Sequence, residues 1–208
     1  MISSVHIPMR VIGKVLAPLA VALALAPGFS TPALADAGGS ITGKVTAAPA
    51  KYLGETVVYL KNAPGGGGGT VTVDQKAMQF IPHVVAVTVG DTVTYGNHDT
   101  VSHNVFSPDN EGFNLGSFPP GESRPYKFTK AGVGYSELCS MHPEMLGYVF
   151  VGPNPYHVVV DGGGNFTIKN VPPGTYNVAI WNPKLKAGDQ SVTVASGAPT
   201  TVNFSIGR

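Results

Sequence analysis

The chain has 208 residues and a net charge of +1, with 43% apolar and only 12% charged residues. That length holds one or two modest cores, the apolar share excludes disorder, and so small a charge excludes a nucleic-acid binder driven by counterion release. The 27 glycines and 18 prolines punctuate short Val/Ile/Tyr/Phe-rich runs, the pattern of an all-β chain of many short strands and tight turns.

Arg10 and Lys14 precede an apolar run over residues 15–26, and Ala33-Leu34-Ala35 stands just before Asp36. Together these predict a signal peptide over residues 1–35, cleaved after Ala35. The run is shorter than the about 20 residues a spanning helix needs and is followed by Pro27 and Gly28, so no stable membrane anchor is expected. No cysteine follows to accept a lipid, and the product is expected to be soluble, in the periplasm or secreted. Export makes the single cysteine, Cys139, informative, because a lone thiol in an oxidising compartment is open to oxidation unless something protects it.

Two alternating segments, Ile41-Thr42-Gly43-Lys44-Val45 and Thr56-Val57-Val58-Tyr59-Leu60, come next and read as strands, followed by a glycine-rich stretch over residues 64–69. A strand over residues 84–89, the Gly90-Asp91 turn and a strand over residues 92–95 lead to His98 and His103. His98 lies in the loop Asn97-His98-Asp99, where a solvated histidine is expected. His103, in the turn-like stretch DTVSHNVF, is the better ligand candidate. His83 follows Pro82 at a strand start, and with His157 and His6 it is expected to be an ordinary surface or half-buried histidine.

The stretch YSELCSMHPEMLGYVFV then places Cys139, His142 and Met145 at intervals of three. Three residues of extended strand span about 10 Å, too far for side chains sharing one ion, so this stretch has to fold as a tight loop. Pro143 helps by fixing its own φ and disfavouring helix at His142. Thiolate and imidazole suit copper or zinc rather than magnesium or calcium. A thioether decides between them, since methionine is a poor zinc ligand and a long axial methionine beside one cysteine and two histidines is a blue-copper arrangement.

The pairing of VGDTVTYGNHDTVSHNVF with CSMHPEM resembles the cupredoxins of the plastocyanin and azurin superfamily, with a copper loop similar to that of amicyanin. The resemblance covers residues 70–152 and includes Phe80-Ile81-Pro82 and Gly90-Asp91-Thr92-Val93. It implies a Greek-key β-sandwich and one type 1 copper ion held by His103, Cys139, His142 and axial Met145. Asn104 takes the place of the asparagine that ties the two ligand loops together and hydrogen-bonds near the sulfur. The sequence departs from the family at Glu137, two residues before the cysteine, where an aromatic residue is usual. There it is expected to escape to solvent at a sheet edge or to accept hydrogen bonds; held near the thiolate, its charge would favour Cu(II).

After Pro153 the stretch YHVVVDGGGNFTIKNVPPGTYNVAIW resembles the carboxypeptidase regulatory-like β-sandwich, whose opening strands stand before the cupredoxin here. The expected organisation is a leader (1–35), first strands of a sandwich (36–63), a cupredoxin (64–153) inserted between strands, and the rest of the sandwich (154–208), with two cores. The resemblance implies a non-enzymatic single-electron carrier serving partners such as a c-type cytochrome or a periplasmic dehydrogenase. Copper delivery or storage, and a structural or interaction module, are the alternatives.

Overall fold

A strand with one wet face alternates apolar and polar residues, whereas a strand covered on both faces is apolar throughout. Residues 57–60 (VVYL), 84–87 (VVAV) and 148–151 (YVFV) are of the second kind, and their placement organises the molecule. The computed structural model describes Met1 and residues 38–208, so the expected leader lies outside the described residues, Met1 apart. The fold is nearly all β, with a cupredoxin Greek key and a second β domain.

Strands β1 (Gly39–Ala47) and β2 (Val57–Leu60), joined through a 3-10 turn at Ala50–Glu55, come first. The inserted domain holds β3 (Thr70–Lys76), β4 (Gln79–Ile81), β5 (Val84–Thr88), β6 (Thr92–Asn97), β7 (His103–Ser107), β8 (Phe113–Phe118), β9 (Ser123–Lys127), β10 (Val133–Leu138) and β11 (Leu146–Gly152). The chain ends with β12 (His157–Val159), β13 (Asn165–Val171), β14 (Gly174–Trp181), β15 (Gln190–Val194), β16 (Pro199–Thr201) and β17 (Phe204–Ile206).

Four sheets result: β4-β3-β6-β9, β5-β11-β10-β7-β8, β12-β2-β14-β15, and β13-β1-β16 with β17 also on β1. The strands before and after the inserted domain therefore pair with each other, β1 with β13, β16 and β17, and β2 with β12 and β14.

Three buried clusters lie between these sheets. The first, with Val73, Tyr95, Phe118, Tyr135, Val149 and Val151, fills the inserted domain. Another, with Ile41, Val58, Leu60, Phe166, Val178 and Phe204, fills the outer sandwich. The third, Val57, Tyr59, Val84, Tyr148, Phe150 and Ala179, joins the two domains face to face. Alternation sends Val58 and Leu60 to one side of β2 and Val57 and Tyr59 to the other; on β11, Val149 and Val151 face the inserted domain's core while Tyr148 and Phe150 face the outer domain.

The expectation of two cores is thus corrected to three, because the inserted domain's second sheet has two apolar faces and the outer sandwich covers the one that would otherwise meet water. Each fully buried Val or Phe there contributes about 1.5–3 kcal/mol relative to exposure.

The glycine-rich joint is fastened by Asp91. Its carboxylate accepts the backbone N–H groups of Gly68 (2.7 Å), Gly69 (2.8 Å) and Thr88 (2.8 Å). A Cβ at Gly67 would stand 2.5 Å from Asp91 Oδ1, so the loop closes on the carboxylate only with glycine there.

Candidate metal centre

His103 opens β7, and Cys139 follows the last residue of β10. The chain then turns through residues 140–145, where the Met145 N–H donates to the His142 carbonyl at 3.0 Å, and re-enters the sheet as β11. The tight loop required by the spacing is formed, with Pro143 exposed at its tip.

Three donor atoms converge. His103 Nδ1 and His142 Nδ1 lie 2.9 Å apart, and Cys139 Sγ lies 3.6 Å from His142 Nδ1 and 3.9 Å from His103 Nδ1. Metal–nitrogen bonds of about 2.0 Å and metal–sulfur bonds of about 2.3 Å allow one ion to reach all three. His103 and Cys139 are buried and His142 is half-exposed. Met145, 1% exposed, belongs to the same buried cluster as Cys139. The structure therefore brings His103, Cys139 and His142 into one group and buries Met145 in the cluster that contains the thiol.

The surroundings fix how His103 is presented. Asp99 Oδ2 lies 3.0 Å from His103 Nε2, and a carboxylate only accepts, so the ring proton sits on Nε2 and the Nδ1 lone pair faces the cysteine. Asp99 in turn accepts the backbone N–H groups of Met78 and Thr100. These bonds, with that from His103, hold its carboxyl at a pKa of about 2, well below the ordinary range. With the His103 lone pair turned toward a second imidazole nitrogen at 2.9 Å, the geometry calls for a cation or a proton between them. The donor set thus fits a thiophilic metal ion.

Asp99 was not singled out from the sequence, although it stands four residues before His103 in the same loop. The neighbouring Asn97, which is fully buried, shapes that loop: its amide donates to the carbonyls of Val101 and Phe118, and its Oδ1 accepts the Asp99 N–H.

Asn104 Oδ1 accepts from the backbone N–H of Ser140 (2.7 Å) and from its hydroxyl (2.9 Å), joining β7 to the residue after Cys139. Replacing Asn104 with alanine removes the acceptor of both Ser140 hydrogen bonds and unties β7 from the ligand loop. It should lower stability by about 1–3 kcal/mol and speed the loss of bound metal, measured by denaturant unfolding and by transfer to a chelator. Unchanged unfolding and metal-loss rates would show that the loop holds itself.

The other described histidines are engaged elsewhere. His98 is exposed and lies 2.7 Å from Asp74 Oδ1. His83 stands edge-on to Tyr148 with Nε2 3.8 Å from Glu55. His157 Nε2 lies 3.1 Å from the Thr88 hydroxyl, and burial lowers its pKa.

Glu137 requires a correction. Instead of reaching solvent or accepting hydrogen bonds, it is 0% exposed, and neither carboxyl oxygen has a partner of good hydrogen-bond geometry. Its position on β10 points it inward with Tyr135 and Cys139, and its cross-strand partner is Gly147. A Cβ at Gly147 would stand 2.9 Å from Glu137 Oε2, so that glycine supplies the space the carboxyl occupies. Burial pushes the Glu137 pKa up to about 8, opposed by the facing Tyr95 hydroxyl, and keeps the group protonated at neutral pH.

Comparison with known proteins bears on the same residues. Residues 68–152 match the family model for copper binding proteins of the plastocyanin/azurin family. They fold as a cupredoxin. Residues 154–202 match a fibronectin-type model described as polysaccharide lyase family 4, domain II. The comparison with curated proteins found no match.

Among solved structures, the cupredoxin aligns with a purple cupredoxin from Nitrosopumilus maritimus at 29% identity and TM-score 0.36, covering 39% of this chain and 99% of the other. A tryptophan-to-tyrosine variant of reduced amicyanin aligns at 28% identity and TM-score 0.38, covering 45% and 97%. A copper-containing nitrite reductase from Thermus scotoductus SA-01 aligns at 32% identity and TM-score 0.37, covering 39% of this chain and 22% of the reductase.

Proposed function

We propose that the protein is a periplasmic or secreted type 1 copper protein that carries single electrons between redox partners. The observation that carries this reading is the convergence of two imidazole nitrogens and one thiol within a cupredoxin domain, with only the His142 ring reaching toward solvent. His103, Cys139 and His142 would hold the ion and Met145 would supply the axial thioether. Copper bound there supplies a one-electron couple.

The protein's own contribution is rigidity. Asp99 fixes the His103 ring, Asn104 fixes the ligand loop, and the core around Cys139 and Met145 excludes water, so little has to rearrange when charge changes. A carrier is preferred to an enzyme with a further copper centre because His83, His98 and His157 each engage a different, separate partner. The leader expected over residues 1–35 supports export, and a c-type cytochrome or a periplasmic dehydrogenase is the partner class we propose. The strand motifs before and after the insertion support reading the outer sandwich as carboxypeptidase regulatory-like.

Titration of the metal-free protein with Cu(II) tests the copper reading through an intense thiolate-to-copper absorption at one equivalent. Rapid oxidation of the reduced protein by a c-type cytochrome separates a carrier from a delivery or storage protein, which would instead release copper to an acceptor.

Apolar side chains stand exposed around the site: Met141 is 43% exposed and Val101 38%, and Pro119, Pro120 and Pro143 are also exposed, alongside Ser140 and Glu144 of the ligand loop. A weakly polar patch suits brief docking through the His142 edge. Met141→Lys should slow electron exchange with a cytochrome about tenfold while leaving the absorption spectrum unchanged, measured by stopped flow. An unaltered rate would move the port away from His142.

A further inference from the structure

A cavity of about 570 Å³ opens between the two domains, on the face of the β10–β11 ladder opposite the metal centre. Leu138 and Leu146 line it and are cross-strand partners. Their chain neighbours are Cys139 and Met145. Side chains alternate across a sheet, so the pair of leucines faces the groove while the cysteine and methionine next to them face the core. A molecule in the groove is thus one residue from two of the proposed ligands without approaching His142.

The groove is built from both domains. Trp181 of the outer sandwich lies directly on β10, where a Cβ at Gly134 would stand 2.2 Å from the indole, and its ring packs edge-on to Tyr148 with centroids 6.0 Å apart. At the polar end, Asp109 Oδ2 accepts from the Ser136 N–H (2.7 Å) and hydroxyl (2.5 Å), leaving Oδ1 to accept another hydrogen bond. Lys184 adds an exposed ammonium with no ion pair among the described residues.

We propose that this groove binds a small phenolic reductant of the hydroquinone class and admits its electron to the copper site; the proposal rests on the copper reading. The indole and two half-buried leucines give the apolar part of a lining that is otherwise polar, and Asp109 and Lys184 add an acceptor and a cation, which suits an aromatic ring bearing hydroxyls on its edge. A sugar would turn some of its hydroxyls toward Leu138 and Leu146, where they would lose water without gaining a partner. One electron passes from the bound hydroquinone to Cu(II), giving Cu(I), as one phenolic proton passes to the Asp109 carboxylate. The organic radical leaves and disproportionates with a second one to quinone and hydroquinone. In sum, one hydroquinone reduces two copper ions and releases two protons.

Trp181 is the only tryptophan of the chain, so its fluorescence reports this groove alone. Hydroquinone added to the metal-free protein should quench it saturably, with matching heat in calorimetry, and reduction of the copper-loaded protein should saturate over the same concentration range. Trp181→Leu should abolish the binding heat and slow reduction by hydroquinone at least about tenfold, while reduction by hexaammineruthenium(II), which has no aromatic ring, stays unchanged. Asp109→Asn keeps an acceptor for Ser136 and serves if Trp181→Leu does not fold; it should slow the hydroquinone reaction to a similar degree. Strictly linear quenching without binding heat, or unchanged hydroquinone rates in both variants, would overturn the proposal. Failure of the copper reading would show separately, as absence of the thiolate-to-copper absorption, because the groove is titrated on metal-free protein.

Discussion

Glu137→Gln should remove most of a pronounced loss of stability that the metal-free protein suffers as pH rises from about 4.5 to about 8. In the unfolded chain this carboxyl titrates near its ordinary value of 4.5, whereas in the folded protein burial raises it to about 8. Between those values the native state holds a proton that the unfolded state has released. Raising the pH therefore favours unfolding until both states are ionised. At about 1.4 kcal/mol per pH unit the span amounts to about 5 kcal/mol, of which about 3 kcal/mol is already lost at pH 7. Glutamine cannot ionise and should flatten the profile. Glu137→Leu should flatten it as well, while leaving the buried Tyr95 hydroxyl with no polar group facing it. Urea unfolding of the three proteins from pH 4 to pH 9 measures this. Parallel curves for wild type and Glu137→Gln would mean that water or a hydrogen bond reaches the carboxyl.

Cys139→Ser should abolish the intense absorption that one equivalent of Cu(II) produces in the wild type, because that absorption needs a thiolate donor. The variant should still fold. The change keeps the side-chain size, and the cost of a hydroxyl at a 3% exposed position is about 1–3 kcal/mol, reduced by the imidazoles within reach. Met145→Leu should behave differently, keeping a coloured centre with a raised reduction potential, since a weak axial donor is lost while the thiolate and both imidazoles remain. Absorption and electron paramagnetic resonance spectra, with redox titration, separate the two effects. Unchanged copper absorption in Cys139→Ser would rule out the thiolate assignment.

Much of the copper-domain architecture was readable in the sequence because local chemistry and fold agree there. Short alternating runs and glycine turns announce strands, and the three-residue spacing of Cys139, His142 and Met145 demands a loop. What escaped notice was the support of that site. Asp99 looked like one more loop aspartate, and only the fold brings its carboxylate to His103 Nε2. Glu137 was misjudged because alternation shows which way a side chain points but not whether a pocket awaits it. The space at Gly147 belongs to the neighbouring strand, and the loss of a charge on burial is a property of the folded core.

The sequence by itself determined the all-β class and the tight loop that carries Cys139, His142 and Met145. The reason is that strand period, turn residues and ligand spacing are local and act within a few residues. The tertiary structure alone decided the third core, the groove beneath Leu138 and Leu146, and the convergence of His103 with a loop that begins thirty-six residues later. Those features depend on which sheet face meets which. The apolar runs at residues 57–60, 84–87 and 148–151 are covered on both sides because they cover one another, and only packing specified that.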